Sequence, residues 1–305
     1  MYPYFLREES QVNNTPLIWR TVSSQIPEVQ LSKSHNRVAA TEYLAWDTCK
    51  LLYSLNQVKK EKKTWLILMP VGLFGSSKCG SHSDVVFVAI DFGGTNAIVD
   101  AIRAGRIDSK PRGVSVGVSI FDTRSLPSPS VSGVDVFKTY NIGVGGCPSQ
   151  RRLEEKRFLF GTTTWLPSLA GLKPALESLI DRSRNIVIVG HGFGPDLTVL
   201  RELGVDLQHS IMGIIDTARL AEGAATGEPT RGDFRLKNVL ARFGCILEGF
   251  HTSGNDANYA LRALLLLAAE SFLSEGRDIT DVQVSRVNSL RDFALAPVPN
   301  EKFME

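Results

Sequence analysis

Val85-Val86-Phe87-Val88-Ala89-Ile90 is an unbroken run of β-branched, aromatic and small apolar residues. A strand wetted on one face alternates apolar with polar side chains. A run without alternation suits a strand covered on both faces, at the centre of a sheet with helices above and below. Ile186-Val187-Ile188-Val189 is a second such run, and it ends in Gly190-His191-Gly192-Phe193-Gly194. Val114 to Phe121 (VSVGVSIF) alternates as a further strand, with Val134 to Tyr140 and Ile211 to Asp216 as two more. Gly143 to Cys147 and the charged stretch Arg151 to Arg157 read as a loop. Helical periodicity marks Leu169 to Asp181, Leu236 to Phe243 and the strongly apolar Asn255 to Phe272, and a helix is expected to begin near Asp196. Strands first, then alternating helix and strand, predict an α/β fold with a mixed β-sheet flanked by helices.

The ends of the chain have a different texture. Residues 1–80 read as an accessory segment, in which Trp46, Cys49, Leu52 and Tyr53 recur at helical spacing ahead of a lysine cluster, Lys59-Lys60-Glu61-Lys62-Lys63. Such a cluster suits a solvated helix end better than a phosphate site. Gly75 to Ser83 is linker-like, residues 85–275 form the main domain, and residues 276–305, with Pro297 and Pro299, are expected to be a loosely ordered tail.

Net charge is only +2, from 34 basic and 32 acidic residues, which excludes binding of nucleic acid by bulk charge. Any phosphate contact must come from local patches or metal ions. Cys49, Cys79, Cys147 and Cys245 form no C-x-x-C pair, so neither a zinc site nor a disulfide framework is indicated. The start, MYPYFLREES, lacks the features of a signal peptide. The longest apolar runs, Trp65 to Phe74 and Ala263 to Ala269, fall short of the ~20 residues that cross a bilayer. The expectation is a cytoplasmic or nuclear protein with no membrane partner.

Three carboxylates stand at positions suited to chemistry. Asp91 directly follows the first buried run, Asp196 follows the second near a helix start, and Asp256 opens the last apolar helix, five residues after His251. Strand ends and helix starts at one edge of a sheet converge on a single cleft. Converging carboxylates repel one another unless protons or cations sit among them, and their oxygens suit Mg²⁺ or Mn²⁺. Two such ions activate a water and stabilise the leaving oxygen of a phosphodiester. An imidazole in the position of His251 can take the water's proton. Taken singly, Asp196 and Asp256 are also good helix caps and His251 an ordinary loop residue; their joint order is what points to a site.

That order resembles the DEDDh 3′–5′ exonucleases of the ribonuclease H-like superfamily: Asp91 after a strand, G-H-x-x-x-x-D-L at Gly190 to Leu197, I-I-D-T at Ile214 to Thr217 and H-x-x-x-x-D-A at His251 to Ala257. The stretches IVIVGHGFGPDLTVLRELGVDL and HTSGNDANYALRALLLLAAE carry the likeness most specifically, and it is greatest to the fungal family that shares its C-terminal domain with the "great for full DEAD-box protein" factor. The resemblance implies a ribonuclease H-like fold and metal-dependent shortening of single-stranded RNA or DNA. It further implies Asp91, Asp196 and Asp256 as ligands of two Mg²⁺ or Mn²⁺ ions, and His251 as general base. Asp216 matches a recurrent position expected to be structural. The family's first motif is D-x-E, whereas this chain reads Asp91-Phe92-Gly93, and the segment Gly93 to Arg112 departs from the family pattern. The site is therefore one carboxylate short. An impaired exonuclease, a site completed by another carboxylate, and a catalytically inactive module that binds nucleic acid or protein all remain open.

Asp91-Phe92-Gly93-Gly94-Thr95-Asn96 also looks like the first phosphate loop of sugar kinases of the hexokinase and actin-like superfamily, where glycines let backbone N–H groups approach ATP. Asn255 to Asn258 resembles their catalytic-aspartate segment. Order tells against this reading: only 49 residues follow Asp256, and they hold no second glycine-rich loop. Arg231, Arg235 and Lys237 are candidate phosphate contacts, equally suited to exposed helix flanks.

Overall fold

The structure, a computed structural model, describes residues 85–125, 136–224, 234–245, 248–274 and 280–299. The accessory segment 1–80, with its expected helix and lysine cluster, lies outside the described residues, as do Cys49, Cys79 and Arg231.

Six strands form one sheet: β1 (Val85–Gly93), β2 (Ser115–Asp122), β3 (Phe137–Val144), β4 (Thr163–Leu166), β5 (Asn185–Gly190) and β6 (Ile211–Asp216), in the order β4-β3-β2-β1-β5-β6. β1 pairs parallel with β5 and antiparallel with β2; β3 is antiparallel to β2 and parallel to β4, and β6 is parallel to β5. Only β2 runs against the other five, so the C-terminal ends of β1, β3, β4, β5 and β6 share one rim of the sheet.

The uninterrupted apolar run in β1 is explained by two separate cores. Val85, Phe87 and Ala89 face one of them, with Phe121, Phe137, Val187 and Val189. Val86, Val88, Ile90 and Phe92 face the other, with Val116, Val118, Ile142, Ile186 and Ile188. The long helix α7 (Ser253–Ser274) covers the first face together with α6 (Leu236–Arg242), while α1 (Thr95–Arg103), α3 (Leu172–Leu179) and α4 (Gly194–Glu202) supply Ile98, Leu176 and Leu200 to the second. This mixed sheet between helical layers is the ribonuclease H-like fold expected from the sequence. The remaining helices are α2 (Pro148–Arg157), α5 (Thr217–Ala224) and α8 (Asp281–Leu295).

Several expectations need correction. β1 runs through to Gly93, so Asp91 stands within the strand rather than after it. Arg151 to Arg157 is helical, not a loop: α2 buries no residue, and the apolar spacing that betrays a packed helix is missing. Its start is secured by Pro148 and by a capping box between Cys147 and Gln150. The segment 93–112 contains α1, whose Ile98 and Ala101 are buried.

The tail is the clearest departure. α8 is capped by Thr280 and Gln283 and buries Val287, Leu290 and Ala294 in the core around α7. Arg262 of α7, 1% exposed, donates to Ala294 O at 3.0 Å and to Ala296 O, bonds Asn258 Oδ1 at 2.8 Å, and lies over the Phe137 ring. Replacing Arg262 with leucine would strand these acceptors in the interior. We expect Arg262→Leu to lower the stability measured by urea unfolding by about 2 kcal/mol; an unchanged midpoint would refute this role.

Candidate active site

The alternation of β1 puts Asp91 and Gly93 on the face that α7 covers, continuing the row Val85, Phe87, Ala89. α7 can reach this row because of glycine. At Gly117, which is paired with Asp91, a Cβ would stand 1.8 Å from Ser253 O. The backbone of the first turn of α7 therefore rests directly on β2. Asn141, next in the same row on β3, accepts from the Gly254 N–H at 3.0 Å, satisfying one of the donors a helix start leaves open. Asn255 accepts from Leu159 N–H and donates to Arg157 O and Gly249 O. These contacts fix the turn that carries Asp256.

Gly117→Ala should force this turn off the sheet, since the clash is with backbone. We expect a loss of about 2–3 kcal/mol in chemical unfolding. A variant as stable as the parent would show that α7 does not depend on this contact.

Asp196, the third residue of α4, is 8% exposed and accepts from Phe92 N–H at 2.8 Å. That bond ties the start of α4 to β1 one residue past Asp91. Asp256 accepts from His251 N–H through Oδ2 at 3.0 Å, while its Oδ1 is buried with no hydrogen-bond partner. Each of the three carboxyl groups is pushed up to about 7. Burial is the main cause in every case; the charge of Asp256 adds to it at Asp91, and the charge of Asp91 at Asp196. The structure thus brings Asp91 within electrostatic reach of both Asp256 and Asp196. His251 sits exposed just before α7 in a left-handed conformation, φ 67°, anchored to Asp256 through its own backbone.

Gly93 leaves a space that sequence reasoning did not see filled. A Cβ there would lie 2.7 Å from Ser115 Oγ and 3.2 Å from Ser253 Oγ, and these two hydroxyls are 3.0 Å apart. The Ser253 hydroxyl also interacts with Asp91 and favours its ionised form. Ser115, Ser253, Asn141 and Asn255 carried no distinctive signal. Serine and asparagine are common, and their roles arise only once β2, β3 and α7 meet.

Asp216 is structural, as expected: its carboxylate accepts from Gly192, Phe193 and Ala218 N–H groups and holds the turn from β5 into α4. His191 bonds Thr217 Oγ1 through Nδ1, and burial holds it below the usual histidine range. Arg235 and Lys237 are exposed at the start of α6, and no described contact links them to the carboxylates.

As the side chains stand, no group of three or more His, Cys, Asp and Glu among the described residues is gathered closely enough to hold a metal ion. Asp91 nevertheless lies within electrostatic reach of Asp256 and of Asp196. Repelling carboxylates stand apart when no cation lies between them. The donor chemistry fits a hard divalent ion: three carboxylates, one with a buried and unsatisfied oxygen.

The family model for the DNA polymerase III subunit epsilon-like, C-terminal domain of DEDDh proteins matches residues 150–267. This span includes Asp196, His251 and Asp256 but not Asp91 or Gly93. No curated protein matches the chain. Fold, motif order and family match agree: over residues 150–267 the chain is similar to the DEDDh exonuclease superfamily.

Proposed function

We propose that the chain removes nucleotides from the 3′ end of single-stranded RNA or DNA, using two Mg²⁺ or Mn²⁺ ions held by Asp91, Asp196 and Asp256. The observation that carries this reading is the buried oxygen of Asp256, left without a partner near Asp91, whose carboxyl is repelled by Asp256 and in turn repels Asp196. Such an arrangement costs stability and is retained where a cation is to be bound. When bound, the ions supply a hydroxide-like water and neutralise charge on the departing oxygen. The protein's part is to hold its ligands from three elements: Asp91 from β1, Asp196 through Phe92 N–H, and Asp256 through His251 N–H. His251, exposed and tethered to Asp256, acts as the base that takes the water's proton. We place this activity in the cytoplasm or nucleus.

Purified protein incubated with 5′-labelled single-stranded RNA or DNA and Mn²⁺ should give a ladder of shortening products that vanishes with EDTA. Gly93 favours one competing reading, a module of the same fold that binds without cutting, since the position offers no ligand. Retention of intact strand without shortening would select that reading. Failure to retain or shorten any strand would reject both.

A further inference from the structure

One row across the sheet leads from the candidate site to a cationic platform. Gly93 pairs with Ser115, Ser115 with Gly143 and Gly143 with Trp165, so all four positions share the face that α7 partly covers. At Gly143 a Cβ would lie 2.3 Å from Trp165 Cζ3, and at Gly146 it would lie 3.1 Å away; the indole lies flat on glycine backbone. The Arg151 guanidinium lies over that indole, 5.1 Å from its centroid, and its Nε donates to Gly145 O at 2.9 Å and to Gly146 O at 3.2 Å. Lys110 packs against the same turn, where a Cβ at Gly145 would meet its Cβ at 2.8 Å.

Both cations are exposed, and neither forms an ion pair among the described residues. The neighbouring acids are directed elsewhere: Glu154 accepts from Asn141 Nδ2, and Glu155 from Thr163 N–H. An arginine held by a ring and two carbonyls through Nε has given up little of its hydrogen-bonding capacity. Its terminal N–H groups stay free for an anion, at low entropic cost because the side chain is already ordered. Three strand spacings separate Trp165 from Gly93, roughly 14 Å along the sheet.

We propose that Arg151, pinned over Trp165, and Lys110 form a phosphate clamp that holds the backbone of a single-stranded nucleic acid upstream of the carboxylates. The ligand class rests on the exonuclease reading, whereas the clamp itself rests on the row of paired residues and the ordered guanidinium. A chain of net charge +2 needs such a local patch to retain a polyanion.

The test is anisotropy of a labelled single strand of about 12 nucleotides, in EDTA and over a range of salt, with the full chain. Arg151→Ala/Lys110→Ala should bind about 10-fold more weakly, and its slope of log affinity against log salt should fall by about 1.4, two single-strand phosphate contacts. Lys110→Ala alone should remove about half of that slope, and it guards against misfolding of the double variant. An unchanged slope in both variants overturns the clamp, as does failure of the parent to bind any strand. A parent that binds with the expected slope yet never shortens the strand rejects the exonuclease reading and leaves the clamp standing. Where the parent does cleave, the double variant should raise KM for the long strand and leave dinucleotide cleavage unchanged. Equal losses on both would place these residues elsewhere in the machinery and overturn the proposal.

Discussion

Asp196→Asn is expected to melt higher than the parent in EDTA at pH 8, by about 4–8 °C, and to lose about 10³-fold in exonuclease rate when Mn²⁺ is present. The substitution keeps the shape of the side chain and an oxygen to accept from Phe92 N–H, so what it removes is charge. Burial and the neighbouring Asp91 raise the Asp196 carboxyl from 3.8 to about 7 in the folded protein. Below pH 4 the group is protonated in both folded and unfolded chains and contributes no difference. Between 4 and 7 the unfolded chain releases a proton that the folded protein keeps, so stability falls as pH rises. Above 7 the whole cost is present. A shift of this size corresponds to roughly 4 kcal/mol at most, and sharing among coupled groups leaves about 2 kcal/mol for one substitution. The advantage of the asparagine variant should therefore be absent at pH 4 and complete by pH 8. Mn²⁺ should reverse the order, because only the parent gains from full occupancy; at 100 times Kd that gain is about 2.7 kcal/mol. Equal melting of the two proteins in EDTA at pH 8 would show that Asp196 is not under electrostatic stress.

The legible parts of this fold were those whose burial leaves a period or a run in the sequence. Val85 to Ile90 and Ile186 to Val189 announced central strands because both faces of β1 and β5 meet apolar cores. The apolar α7 was equally plain. α2 was hidden because it packs nothing, and α8 because its short buried row, Val287, Leu290 and Ala294, is interleaved with charged residues. β4 has four residues, too few to show a period. In the candidate site, Asp91, Asp196 and Asp256 were proposed from motif order. The parts that position them were not: a glycine that lets α7 touch β2, two asparagines that hold the first turn, and a serine pair in front of Gly93. None of these has a spacing, since each depends on elements brought together from distant parts of the chain.

Gly93→Glu should tighten Mn²⁺ binding about 10- to 100-fold and raise exonuclease rate by about two orders of magnitude, on the scale of one added carboxylate ligand. Position 93 follows Asp91 by two residues in the same strand, so a side chain there emerges on the same face, beside Asp91 and beneath the first turn of α7. Its Cβ meets two hydroxyl oxygens closely, Ser115 Oγ at 2.7 Å and Ser253 Oγ at 3.2 Å, and the Gly113 carbonyl oxygen at an ordinary 3.6 Å. A serine hydroxyl can rotate away, whereas the backbone oxygen above Gly117 cannot; the first position therefore tolerates a side chain that the second excludes. Gly93→Glu/Ser115→Ala removes the tighter contact and should exceed the single variant in both affinity and rate. Without metal the order is opposite, because a fourth carboxylate joins three that already repel. Gly93→Glu should melt below the parent in EDTA at pH 8 and recover at pH 4. Gly93→Gln fills the same space without charge and sets the control. If the glutamine variant binds Mn²⁺ as tightly as the glutamate, shape rather than a ligand limits this site. If neither binds more tightly than the parent, Gly93 is not facing the ions at all.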